Sequence, residues 1–548
     1  MIADFGFLRR FVKYVPVFAL VFLLFPVVDN AGAEQLKTTE PVLLDAGKIT
    51  GVHAGTEPDI RIFKGIPYAA PPVGGLRWRP PQPVKSWDGI RHTGEFGPIC
   101  PQTKSSLFMS LDYDNMNEDC LYLNVWTPAK SVKDAVPVMV WIHGGGNIQG
   151  AASTPYYDGK SLARKGVVLV SINYRLGPFG FFAHPLLSKE SKYNVSGNYG
   201  LLDQIAALKW VQRNIRAFGG DPRRVTVFGE SAGGLNVNCL MASPLAKGLF
   251  HGAIAQSGHA FSRNRHLQKR WYGQESMETQ GERIAKECGV ADAADPLKAL
   301  RALSAEKIIE ITKPTLGVGG EKGNYFNFVV DGWVIPDEIH TVFSQGKQRD
   351  VPLMVGANAD EGTLFTLRSP IKTVEAYRMA VKALYGSAAD NVLAMYPVSE
   401  PAHVRKALSD SLGDLGFVAG ARAFARGMGT VASKAYLYHF TMKATGKWGE
   451  TLGAHHGAEI PYVFGNLQQG MNPTDLQRLA LSDKMSAYWV NFAKTGNPNG
   501  EGLPMWPHYK ADDDQHLEFG QEVNAGRHLR KAACDLFDKI STERRKNR

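Results

Sequence analysis

The chain has 548 residues, with 62 Lys plus Arg against 52 Asp plus Glu for a net charge of +10, 44% apolar residues and five cysteines. This is the composition of a globular protein able to bury a large core; 57 Gly and 31 Pro stay below the share that marks low complexity, and disordered, collagenous and coiled-coil chains are excluded. The basic excess is modest and accompanies no nucleic-acid-binding motif, so no nucleic-acid partner is expected.

Residues 1–33 read as a secretory signal peptide. Arg9, Arg10 and Lys13 precede the apolar run Val15 to Val28, and Ala31-Gly32-Ala33 closes it as a cleavage site after Ala33. The apolar run is shorter than the ~20 residues that span a bilayer. No later stretch is long enough either, so the mature chain is expected to have no stable membrane insertion. It would reside in the periplasm or outside the cell, where disulfides form. No feature specifies an oligomeric state. The basic C-terminal residues Glu543 to Arg548 read as a solvated helix end.

Residues 34–548 are expected to form a single domain. Pro41 to Val52 and Ile60 to Ala69, broken by turn residues, predict a small antiparallel pair on one edge of a sheet. Val138 to His143, Val167 to Tyr174, Val225 to Gly229, Ala253 to Ser257, Pro352 to Ala357 and Ala435 to Phe440 are apolar runs that predict buried strands. Between them, Leu201 to Phe218 repeats apolar residues on one helical face and ends at Gly219-Gly220-Asp221-Pro222, a helix stop. Strand and helix alternation calls for an α/β architecture, a mainly parallel central sheet covered by helices on both faces. Two stretches, about 261–350 and 373–426, are mostly helical and read as insertions over the top of the sheet.

Gly229-Glu230-Ser231-Ala232-Gly233 directly follows the strand ending at Phe228 and precedes a helical run, the setting of a nucleophile elbow. Such a turn is so sharp that β-carbons beside the serine would clash. A second motif, His143-Gly144-Gly145-Gly146, follows another strand, and glycines there let backbone N–H groups approach a developing oxyanion. Gly145, Gly146 and Ala232 are the expected donors. A hydrolytic serine needs a base and the base needs an acid, in the chain order Ser, acid, His. Asp360-Glu361 after one strand and His455-His456 after another lie in that order, and spacing does not choose within either pair. This chemistry requires no cofactor, and no metal is expected; the acidic stretch Asp112 to Asp119 lacks a ligand at Met116 and the following Gly of a calcium loop.

Several stretches together carry a resemblance. They are Phe63-Lys64-Gly65-Ile66-Pro67-Tyr68-Ala69, Glu118-Asp119-Cys120-Leu121, the His143 glycine loop, Asn173-Tyr174-Arg175, Gly197-Asn198-Tyr199-Gly200, the Ser231 elbow, Asp360-Glu361-Gly362 and His456-Gly457-Ala458-Glu459. Over the mature length the chain resembles the type-B carboxylesterase and cholinesterase family of α/β-hydrolases. The resemblance implies Ser231, Glu361 and His456 as the catalytic residues, an acyl-enzyme mechanism, Glu230 as a supporting buried carboxylate, an Arg175–Asp203 ion pair and a Cys100–Cys120 disulfide. Cys239, expected as a buried thiol, and Cys288 and Cys534 fall outside that bridge.

Departures from the family pattern bear on the substrate. The Cys100 to Cys120 loop has no Trp to cradle a quaternary ammonium, which argues against choline esters. Asn147 follows the oxyanion glycines, and Lys322, Asn324 and Tyr325 occupy a region that borders the acyl pocket in relatives. These residues predict a small-molecule ester with a polar or anionic acyl group, for which fumonisin-type esterases of the family are a precedent. Relatives that serve as adhesion or binding modules have lost a member of the triad, and this chain keeps all three. Amidase, lactonase and acyltransferase chemistry are the variants within the enzyme class.

Overall fold

The computed structural model describes residues 37–546 except 56–58, 106–109, 259–263, 315–322 and 468–474. The expected signal peptide and Lys322 lie outside the described residues. Lys37 to Arg548 is one compact unit.

Its centre is an 11-stranded sheet. In chain order the strands are β1 (Val52–His53), β2 (Arg61–Pro67), β3 (Tyr122–Thr127), β4 (Val136–Ile142), β5 (Val168–Ile172), β6 (Gly220–Glu230), β7 (Gly252–Gln256), β8 (Leu353–Asn358), β9 (Ala435–Phe440), β10 (Gln515–Phe519) and β11 (Val523–Arg527). Their spatial order is β11-β10-β9-β8-β7-β6-β4-β5-β3-β2-β1. Pairing is parallel from β10 through to β5 and antiparallel at both flanks. Parallel neighbours need crossover connections, and these bury both faces of the central strands. Strand β4 illustrates the result. Val138, Val140 and Ile142 enter one apolar core, while Met139 and Trp141 enter the other.

The helix read from Leu201 to Phe218 is α1 (Tyr199–Asn214), tightened into a 3₁₀ turn over Ile215–Phe218 and ended by Gly219 at φ 80°. The two N-terminal stretches do not simply pair with each other. β1 and β2 form the expected antiparallel edge, whereas Val42–Leu43 and Lys48–Thr50 join Ile90–His92 in a separate three-stranded sheet. Strand β3 escaped the sequence reading because its pattern is interrupted by Asn124. That side chain is buried yet satisfied, donating to Ser171 Oγ at 3.0 Å and accepting from Gly65 N at 3.0 Å.

The inserted segments are helical as expected, with helices Met277–Glu287, Pro296–Ala302, Ala305–Thr312 and Ile339–Ser344 in the first and Val374–Tyr385, Ala389–Met395, Pro401–Gly413 and Ala419–Gly427 in the second. The first also holds a short parallel bridge, Arg265–His266 with Val329–Val330. Among the described residues no helix is long and apolar enough to cross a membrane.

One topological feature positions the site. From β4 the chain moves outward to β5 and then returns to place β6 on the other side of β4, so connections leave these two strands in opposite directions. A crevice therefore opens at their C-terminal ends, the place where open α/β sheets bind ligands. The register pairs Ile142 with Gly229, so the glycine loop after β4 and the serine after β6 emerge side by side.

Candidate active site

Ser231 links β6 to α2 (Ala232–Ala242) with φ 57° and ψ −120°, a conformation costly for a residue with a side chain. Close backbone contacts hold it there. A β-carbon on Gly233 would lie 1.9 Å from the Ile142 carbonyl oxygen, and one on Gly229 would lie 2.6 Å from the same atom. The Ser231 N–H donates to the Gln256 carbonyl at 2.9 Å, tying the turn to β7. The glycine loop is equally constrained. Gly145, at φ 102°, would drive a β-carbon to 2.1 Å from the Gln149 carbonyl oxygen. Gly144 approaches so closely that its β-carbon would meet Ser231 Cβ at 3.1 Å. Among the described residues the N–H groups of Gly145, Gly146 and Ala232 make no hydrogen bond, so unused donors from two loops collect beside one hydroxyl.

Within each acidic and basic pair, which spacing left equivalent, the two side chains point in different directions. His456 Nδ1 lies 2.5 Å from Glu361 Oε2. Glu361 is fully buried, and its other oxygen accepts from Asn358 N at 2.7 Å and Ser257 Oγ at 2.5 Å. Asp360 turns the other way and accepts from Ala454 N at 2.8 Å, fixing the loop before the histidines. His455 Nδ1 sits 2.9 Å from the His456 carbonyl oxygen, and burial lowers its pKa. His456 Nε2 makes no hydrogen bond and faces Glu230 Oε1 at 3.2 Å. Phe365 and Phe417 pack against its ring with centroids 5.1 and 4.8 Å away.

Three buried carboxylates, Glu230, Glu361 and Glu459, surround this imidazole. Burial pushes Glu230 well above the usual carboxylate range, with His456 opposing and Glu459 and Glu361 adding to the rise. For His456, burial disfavours the charged ring, but Glu230 and Glu361 outweigh it and raise its pKa. Glu459 is likewise raised by burial while Gln256 and Asn358 donate to it at 3.0 and 2.6 Å. Glu459, Ser257, Asn358 and Gln256 were not singled out from the sequence as site residues. Position is the signal for three of them, since Gln256 and Asn358 end β7 and β8 and Ser257 directly follows β7.

Of the residues expected at the acyl pocket, Asn147 is fully buried at φ 61°, and its amide joins Asn236 on α2 and Asn327. Asn324 donates to the Thr312 carbonyl at 3.0 Å and accepts from Arg283 at 2.8 Å. Tyr325 is held by Gln280 through both its N–H and its carbonyl. Among the described residues no His, Cys, Asp and Glu group is arranged to hold a metal.

The carboxylesterase family model matches residues 38–537. The chain belongs to the carboxylesterase family. It is 40% identical to the fumonisin B1 esterase of Sphingopyxis macrogoltabida over 88% of this chain and 87% of that protein. It is 37% identical to the para-nitrobenzyl esterase of Bacillus subtilis over 89% of this chain and 96% of that one. A solved PNB esterase structure superposes with a TM-score of 0.78 at 33% identity, covering 91% of this chain and 99% of that chain. This carboxylesterase is therefore a carboxylic ester hydrolase of α/β-hydrolase fold acting on small-molecule esters. Two further features implied by the resemblance are present. Cys100 and Cys120 are bonded with Cα atoms 5.1 Å apart, and the buried Arg175 grips Asp203 through two contacts of 2.7 Å. Cys239 and Cys534 are buried thiols.

Proposed function

We propose that this carboxylesterase works through a covalent acyl-enzyme on Ser231, with His456 as general base and Glu361 as the acid that orients it. The observation that carries the reading is the anchored imidazole: Nδ1 is held by a buried carboxylate at 2.5 Å while Nε2 stays without a hydrogen bond. Nε2 takes the Ser231 proton as the hydroxyl attacks the ester carbonyl, and the contact closes with substrate in place. The tetrahedral oxyanion accepts from Gly145, Gly146 and Ala232, donors worth about 3–4 kcal/mol each in the transition state. His456 returns the proton to the departing alkoxide. Water, deprotonated by the same ring, then releases the acid. The test is a stopped-flow assay with a 4-nitrophenyl ester together with labelling by a small fluorophosphonate. A nitrophenol burst near one equivalent and a phosphonylated Ser231 are expected; label on another residue overturns the assignment.

Glu230 tunes the base. Only the neutral imidazole accepts a proton, and the Glu230 carboxylate favours the charged ring. Glu230→Gln therefore lowers the His456 pKa and moves the rising limb of kcat/KM to lower pH, by about one unit. A limb that stays in place, or moves up, contradicts this role.

The acyl group is proposed to be polar or anionic. Support comes from the sequence positions of Asn147, Lys322, Asn324 and Tyr325 and from similarity to a fumonisin B1 esterase. Lys322→Ala is expected to slow acidic esters several-fold more than neutral ones in paired kcat/KM measurements, and equal effects on both remove Lys322 from the pocket. Export to the periplasm or the medium after cleavage at Ala33 fits the Cys100–Cys120 disulfide, which persists in an oxidising compartment.

A further inference from the structure

Arg265 stands in the short bridge that ties the first insertion together, and its residue surface is only 9% exposed. A guanidinium at that depth is ordinarily paired with a carboxylate, since an uncompensated buried charge costs several kcal/mol. Arg265 has no such partner among the described residues. Its hydrogen bond is to the Glu275 carbonyl at 3.3 Å, while the Glu275 carboxylate is taken by Arg283 at 2.8 Å. The remaining support is the face of Tyr325, whose ring centroid lies 5.3 Å from the guanidinium carbon. Arg77, Arg175 and Arg422, the other buried arginines among the described residues, each grip a carboxylate through two nitrogens, Glu118, Asp203 and Asp514 respectively.

A chain of contacts links Arg265 to the elements that carry the nucleophile and the glycine loop. Strand β7 runs into Gly258, whose β-carbon position lies 2.2 Å from Gly234 in the first turn of α2. The chain then continues to Arg265. Its stacking partner Tyr325 lies two residues before Asn327, which receives the Asn147 amide at 2.7 Å. Asn147 directly follows the oxyanion glycines and is bonded to Asn236 on α2 at 2.8 Å. Helix α2, the glycine loop and the Tyr325 segment thus join Arg265 to the oxyanion side of the crevice through consecutive contacts.

We propose that Arg265 is a specificity-determining residue that receives a free carboxylate on the acyl part of the substrate, so that the preferred esters are half-esters of dicarboxylic or higher polycarboxylic acids. The fork of the guanidinium matches a carboxylate, and the ligand supplies the direct ion pair that Arg265 lacks among the described residues. The inference rests on the ester-hydrolase reading above and extends it to the substrate class.

The test compares mono-(4-nitrophenyl) glutarate with 4-nitrophenyl valerate, acyl chains of the same length that differ in the terminal charge. Arg265→Gln should lower kcat/KM for the glutarate about 100-fold and leave the valerate within about threefold, while Arg265→Lys, which keeps the charge without the fork, loses about tenfold on the glutarate. Valerate turnover reports that each variant is folded. Equal losses on both esters overturn the proposal. Binding of free glutarate to the wild-type protein, followed by calorimetry with the uncharged diamide glutaramide as control, is independent of turnover and of any variant. Glutarate should bind at least tenfold more tightly than glutaramide, and equal or absent binding overturns the anion site. Ser231-dependent valerate hydrolysis without that preference would leave the esterase reading intact and remove Arg265 alone; a folded wild type that binds glutarate but turns over neither ester would remove the esterase reading and keep the site.

Discussion

Ser231→Ala abolishes the nitrophenol burst and lowers kcat by about 10⁴- to 10⁶-fold in a protein that remains folded. The size follows from where the hydroxyl acts. Without Oγ there is no covalent intermediate, and what remains is the stabilisation offered by the free N–H groups of Gly145, Gly146 and Ala232 to direct attack by water. Folding should be indifferent or slightly improved, because Ser231 holds a φ of 57° through backbone contacts that an alanine keeps. Unchanged circular dichroism with lost turnover is the expected pair of measurements. A variant that retains the burst would place the nucleophile elsewhere.

Glu361→Gln lowers kcat by about 10⁴-fold with little change in KM, for a reason visible in the hydrogen-bond directions. Glu361 accepts from Asn358 N, from Ser257 Oγ and from His456 Nδ1. An amide replaces one acceptor by a donor. The Asn358 N–H demands the amide oxygen, so the NH₂ group turns toward His456 and forces Nδ1 to accept. The ring proton then sits on Nε2, where a base must be empty. Asp360→Asn supplies the contrast, since Asp360 accepts from Ala454 N and does not contact the imidazole; its kcat should remain within about threefold of wild type. A similar loss in both variants, measured as kcat on one ester, would contradict the division of roles between the adjacent acids.

The parallel core was legible because burial on both faces imposes continuous apolar runs; β4, β5, β7, β8 and β9 lie within two residues of the expected bounds, while β6 starts at Gly220, five residues before the apolar run at Val225, in the polar stretch read as a helix stop. The serine turn and the glycine loop were legible for a related reason. Steric contacts as short as 1.9 Å leave glycine as the residue that fits, so the constraint is written as residue identity. Strands with interspersed polar residues, such as β3 and the hairpin of β10 and β11, carried no comparable signal, because Asn124 and His516 are buried through hydrogen bonding or local packing rather than by being apolar.

Residue type and local spacing thus specified the α/β class, the nucleophile turn, the donor loop and the two acid and histidine pairs. They left the members of each pair equivalent, and resemblance to a family was needed to prefer Glu361 and His456. In the folded chain that preference acquires a cause: adjacent residues at a strand end point in different directions, so Glu361 reaches His456 while Asp360 reaches the Ala454 N–H. The same holds for Glu459, Ser257 and Arg265. Each is an ordinary residue in sequence, and each gains its electrostatic weight from burial beside groups many residues away, a property of the packed chain that no local pattern encodes.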